Sequence, residues 1–127
     1  MSYDVVGCAI TVHKILGPGL LENVYEKCLK AELEFQGFKV EHQKKVKLHY
    51  RGIQLETELR IDLLINDTII VEIKSIENIL PVHEAQLLTY MSLLEKPQGL
   101  LINFFTDSIT KSVKPMVNIF FKNLKDN

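Results

Sequence analysis

Asp62, Glu72 and Lys74 are the residues of this chain whose types and spacing could do chemistry: nine residues separate the first two, and one isoleucine separates the last two. They sit in two runs of alternating polarity. Ile61, Leu63 and Ile65 alternate with Glu58, Arg60 and Asp62, and Ile69, Val71 and Ile73 alternate with Ile70, Glu72 and Lys74. A period of two predicts strands with one buried face, joined through Asn66-Asp67-Thr68 into a hairpin. A three-residue loop pairs 65 with 69, 63 with 71 and 62 with 72, and keeps the apolar residues on one side. A two-residue turn would pair 62 with 71 and scramble the alternation, so the longer loop or an equivalent bulge is expected. Asp62 then faces Glu72, with Lys74 two residues along the same face. Opposed like charges are destabilising unless a cation neutralises them. Two carboxylates with backbone oxygens and waters suit Mg²⁺ or Mn²⁺, whereas zinc would call for His or Cys. A lysine beside such a site can orient or help deprotonate a water for attack on a phosphodiester, while the cation stabilises charge on the phosphate. The alternative is a solvated sheet face with charges at alternate positions.

Two helical stripes offer further polar groups. His83, Gln86 and Tyr90, at i, i+3 and i+7, form a stripe distinct from the Ala85, Leu88, Met91 face of the helix that opens at Pro81. A plainer account makes Tyr90 half-buried packing, Gln86 a solvated amide and His83 a first-turn residue bonding locally. Glu22 and Tyr25 share a face just after Gly17-Pro18-Gly19, where a carboxylate is also favoured by the helix dipole. A third cluster is basic: His42, Lys44, Lys45, Lys47, His49 and Arg51 fall within ten residues, enough for several phosphate contacts and salt-sensitive binding. Lysines on an exposed edge strand also block edge-to-edge aggregation.

The elements that must position these groups follow from periodicity. Val5, Val6, Ala9, Ile10, Val12, His13 and Leu16 mark a first helix that ends at Gly17-Pro18-Gly19. Leu21, Val24, Tyr25, Cys28, Leu29 and Leu33 mark a second, with Gly37 at its C′ position. From Phe38 the period drops to two through Val46, Leu48, Tyr50, Ile53 and Leu55, and Gly99 to Phe105 is a short apolar run suited to a buried central strand. The tail from Val113 to Leu124, with Pro115 inside it, stays unassigned. The expected order is α-α-β-β-β-α-β, a mixed sheet flanked by helices in an α/β sandwich.

With 127 residues, 46% hydrophobic and 24% charged, the chain reads as one globular domain over 1–127 and not as a disordered or fibrous protein. Its net charge of -1 excludes a global positive field, so any basic surface is local. Cys8 and Cys28 lie in apolar helical patterns and are expected as reduced thiols. There is no basic leader and no apolar run of membrane-spanning length, so a cytoplasmic protein without a membrane partner is expected.

Gly19-Leu20-Leu21-Glu22-Asn23-Val24-Tyr25 resembles the signature of the GxxExxY proteins, a prokaryotic group placed in the PD-(D/E)XK nuclease superfamily. The resemblance covers nearly the whole chain, from His13-Lys14 to Asn103-Phe104. Asp62 and Glu72-Ile73-Lys74 look like the superfamily core motif, and Gln86-Leu87-Leu88-Thr89-Tyr90 is similar to the Q-x-x-x-Y motif of the RecB-like branch. The resemblance implies a PD-(D/E)XK nuclease-like core. It also implies metal ligation by Asp62, Glu72 and the Ile73 carbonyl, with Lys74 at the water and Glu22 joining through the metal or its waters. Gln86 and Tyr90 would contact the nucleic-acid backbone or order the site. The expected function is a Mg²⁺- or Mn²⁺-dependent nuclease acting on nucleic acid, with DNA as the expected form and Lys44, Lys45, Lys47 and Arg51 as backbone contacts. Alternatives are a non-catalytic nucleic-acid or protein-binding module, or a subunit that works only as a homodimer or with a partner protein. No accessory module such as a zinc finger is visible, so selectivity is expected to be weak or structure-based.

Overall fold

Two glycines set the limits of the opening helices. In this computed structural model, which describes residues 1–118, α1 (Ser2–Leu16) stops where Gly17 takes a φ of 73. Gly37, at φ 90, closes α2 (Glu22–Phe35) in a Schellman turn: its N–H reaches the Glu34 carbonyl at 3.0 Å, and the Phe38 N–H reaches Leu33 at 3.1 Å. The chain continues through β1 (Val40–Lys45), β2 (Leu48–Tyr50), β3 (Ile53–Leu55), β4 (Arg60–Ile65), β5 (Ile69–Lys74), α3 (Pro81–Leu93), β6 (Gln98–Asn103), α4 (Ile109–Ser112) and β7 (Lys114–Val117). The main sheet runs β1-β4-β5-β6-β7, with β5 and β6 parallel and the other neighbours antiparallel. Helix α3 makes the crossover that parallel strands require.

The hairpin has the predicted three-residue loop: Ile65 pairs with Ile69 and Leu63 with Val71, while Asn66 and Asp67 take φ of 48 and 54. The expectation of one buried face is corrected. Leu63, Ile65, Ile69, Val71 and Ile73 pack under α1 and α2, but Leu64 and Ile70 are also fully buried, on the opposite face under α3. A sheet covered on both sides needs apolar residues at both parities. Ile61 joins Leu64 and Ile70 instead of Leu63. The parity breaks next to Asp62, opposite Gln43, whose φ of 54 leaves the strand region.

Three further differences from the sequence reading have physical causes. The run from Leu48 to Leu55 is not a strand of the main sheet but a separate two-stranded ribbon, because Tyr50, Ile53 and Leu55 have no core to face. Helix α3 buries Leu87, Tyr90 and Met91, leaving Val82 and Leu88 exposed. Gly99 of β6 lies so close beneath that an added Cβ would meet Met91 Sδ at 2.7 Å and Leu87 Cδ1 at 3.0 Å, which fixes the rotation of the helix. From the unassigned tail, Lys114–Val117 forms β7, and Pro115 is tolerated because this is an edge strand. The remainder of that tail, from 119 on, lies outside the described residues.

Candidate active site

The register of the hairpin brings Asp62 and Glu72 together where the β4–β5 ladder gives way. Beyond the Leu63–Val71 pair, the Ile73 N–H donates to Asp62 Oδ2 at 2.7 Å, so a side chain serves as acceptor for the strand. Glu72 is 6% exposed, and its carboxyl is pushed up to about 9 by burial, then by the charge of Asp62 and a hydrogen bond with it. Burial also raises Asp62, opposed by the Ile73 N–H and by Glu72 as a donor. Burial and mutual repulsion thus push the pair as a whole toward its protonated form. Glu72 Oε1 is buried without a hydrogen-bond partner among the described residues. Lys74, one residue past Ile73, draws both carboxyls toward their charged forms.

Helix α3 supplies the opposite wall. Tyr90 is almost fully buried; burial raises its hydroxyl and the charge of Glu72 adds to the effect, so the ring lies within electrostatic reach of the pair. Gln86 Nε2 donates to the Tyr90 hydroxyl at 3.1 Å. A groove of about 660 Å³ is lined by Leu59, Lys74, Val82, His83, Gln86 and Tyr90, so Lys74 and the α3 stripe share one open space. His83 also follows the plainer reading, since its Nδ1 accepts the Leu80 N–H at 2.9 Å and caps the helix.

Helix α2 approaches β5 from the other layer. The Tyr25 hydroxyl donates to the Gly17 carbonyl at 2.6 Å and accepts the Leu20 N–H at 3.1 Å, while its ring stacks on Phe104 at 4.3 Å. Tyr25 thus closes the Gly17-Pro18-Gly19 turn, and Ser75 Oγ ties that turn to the end of β5 through Leu20 O at 2.8 Å. Glu22, in the first turn of α2, has a buried Oε2 with no partner among the described residues. No three His, Cys, Asp or Glu side chains among the described residues form a metal-holding group, so Glu22 does not complete a three-carboxylate cluster with Asp62 and Glu72. The basic residues lie elsewhere: Lys44 pairs with Glu41 at 3.1 Å on edge strand β1, and Lys45, Lys47 and Arg51 are exposed from the end of β1 to the ribbon turn.

Sequence reasoning missed Glu26, Gln43 and Asn103. Gln43 Nε2 donates to Asp62 Oδ1 at 3.2 Å and to Glu26 Oε1 at 2.6 Å, and His42 Nε2 meets the same Glu26 oxygen at 2.9 Å. Glu26 is buried, one turn beyond Glu22. A carboxylate on the apolar stripe of Tyr25, Leu29 and Leu33 was the signal available in the sequence. Asn103 pairs in register with Lys74 and clamps Ile76 by accepting its N–H at 3.2 Å and donating to its carbonyl at 2.8 Å, which orders the segment after Lys74.

The donor set is all oxygen and includes a buried carboxylate oxygen without a partner among the described residues, which fits a hard divalent cation. A mixed sheet between helix layers, carrying Asp, Glu and Lys on adjacent strand ends, defines an α/β fold of nuclease type. The model of the PD-(D/E)XK nuclease superfamily matches residues 1–116, and the chain belongs to that superfamily. No curated protein and no solved structure matches it. No helix among the described residues is long and apolar enough to cross a membrane.

Proposed function

We propose that the chain is a divalent-metal-dependent nuclease of the GxxExxY group, in the RecB-like branch, acting on DNA as a single domain over 1–127. The observation that carries this reading is the buried Asp62–Glu72 pair, with Glu72 Oε1 unpartnered among the described residues, set beside Lys74, which itself lines a groove. Asp62, Glu72 and the Ile73 carbonyl would hold Mg²⁺ or Mn²⁺, with Glu22 reaching it through water. When bound, the cation supplies charge stabilisation for the phosphoryl oxygens. Lys74 orients the attacking water, Gln43 and the Ile73 N–H hold Asp62 in place, and Gln86 and Tyr90 set the far wall against the nucleic-acid backbone. Lys44, Lys45, Lys47 and Arg51 add salt-sensitive phosphate contacts. The protein works in the cytoplasm, with a second copy of the chain or a partner protein as its candidate protein partners.

The test is metal titration by calorimetry and thermal unfolding, joined to a panel of labelled DNA and RNA substrates. Mn²⁺ or Mg²⁺ should bind and raise the melting temperature by several degrees, and Asp62→Asn should abolish both effects. Equal behaviour of wild type and Asp62→Asn would overturn the metal assignment.

A further inference from the structure

The β2–β3 ribbon leaves the main sheet and carries features that its own folding does not require. Tyr50 pairs with Ile53 and Leu48 with Leu55, so four apolar side chains share one face, with Tyr50 57% exposed and Ile53 58% exposed. Its turn, Arg51-Gly52, takes φ of 49 and 84, the left-handed pattern of a two-residue hairpin. Asn, Asp or Gly is usual at the first of those positions, and an arginine held there is strained. Arg51 is exposed at the tip. From His42 through Leu55 the chain has four Lys or Arg and no carboxylate; Glu41 pairs with Lys44 and Glu56 shares a cavity with Lys45 and Lys47, while Arg51 at the tip sets positive charge beside the apolar face.

That combination selects the partner. The positive charge calls for a polyanion, and the apolar face calls for a partner with flat apolar surface of its own. A fully stacked duplex presents phosphates and groove edges, whereas unpaired nucleotides offer base faces as well as phosphates. Leu59, which follows the ribbon in sequence, lines the groove that also contains Lys74. We propose that the β2–β3 ribbon is a platform for single-stranded nucleic acid, with a base stacked on Tyr50 against Ile53 and the adjacent phosphates held by Arg51 and Lys47. This rests on the nuclease reading above and specifies its substrate as an unpaired strand.

The experiment measures binding in EDTA, independent of cleavage, by anisotropy of a fluorescein-labelled single strand and of the duplex of the same sequence. Wild type should bind the single strand more tightly. Tyr50→Ala should weaken single-strand binding by about 5- to 100-fold, the range expected for loss of one base–aromatic stack, and leave duplex binding unchanged. Tyr50→Phe should restore it. Arg51→Ala should weaken both forms and reduce the salt slope by roughly one ion. The proposal is overturned if Tyr50→Ala binds the single strand as wild type does. It is equally overturned if Tyr50→Ala dissociates a wild-type dimer in sedimentation without changing strand affinity, since the face then belongs to a second copy. Stacking through Tyr50 without any metal-dependent cleavage would sustain the ribbon assignment and refute the nuclease reading. Cleavage by wild type, with Tyr50→Ala retaining both affinity and strand preference, would do the reverse.

Discussion

Replacing Glu72 with Gln isolates the energetic cost of the carboxylate pair. In the folded, metal-free chain Glu72 is raised from 4.5 to about 9, chiefly by burial and then by Asp62. The folded state therefore holds a proton that the unfolded chain has already released. Its stability is fully present below the ordinary glutamate pKa and falls as pH rises toward the folded value. Each unit corresponds to about 1.4 kcal/mol, so the interval of about 2.5 units from 4.5 to pH 7 sets a ceiling of about 3 kcal/mol. Because Asp62 and Glu72 titrate together, an effect of about 1–3 kcal/mol is expected. Glu72→Gln keeps the shape and a donor toward Asp62 without an ionisable group. In urea unfolding with EDTA, the variant should match wild type near pH 5 and exceed it by that amount near pH 7. Adding Mn²⁺ at pH 8 should stabilise wild type and not the variant. A difference between the two proteins that stays constant from pH 5 to 8 would refute the coupled-pair reasoning.

Three other expectations follow from particular contacts. Since the proposed cation displaces the proton on the pair, apparent Mn²⁺ affinity should rise with pH by up to about tenfold per unit between pH 6 and 8, and flat calorimetric titrations would contradict this. Tyr25→Phe removes a bond to Gly17 O at 2.6 Å and one from Leu20 N–H at 3.1 Å, and should cost about 1–3 kcal/mol in urea unfolding. Gly99→Ala should destabilise by about 1–3 kcal/mol because Met91 and Leu87 crowd the added methyl, whereas Gly7→Ala, in open space on α1, should stabilise by up to about 1 kcal/mol. Melting temperatures of the two variants on opposite sides of wild type would check both.

Much of the sheet was legible because alternation, turn chemistry and helix stops are local. The loop at 66–68, the Gly37 stop and the buried Gly99 strand all follow from neighbouring residues, and the register that joins Asp62 to Glu72 follows from them. Which faces are covered is not local. Leu64 and Ile70 are buried because α3 crosses over them, and that depends on a β5-α3-β6 connection whose rotation is set by Gly99. The same reason hid Gln43: its strand position gave no sign that it would leave β geometry at φ 54 and bridge Glu26 to Asp62. Glu26 was readable as a carboxylate on an apolar stripe, but its partners come from another element. The span from Leu48 to Leu55 shows strand alternation, and only tertiary packing decides that it stands apart from the sheet.

The most direct measurement is metal-dependent cleavage of labelled single- and double-stranded DNA by wild type, Asp62→Asn and Lys74→Ala, each purified free of contaminating nuclease and supplied with Mg²⁺ or Mn²⁺. Wild type should cleave only with metal, Asp62→Asn should lose metal binding and cleavage together, and Lys74→Ala should keep metal and DNA binding while losing most of its cleavage. Cleavage by Lys74→Ala equal to wild type, or no cleavage of any substrate by wild type that binds the metal, would contradict the assignment of Asp62, Glu72 and Lys74 as a catalytic centre.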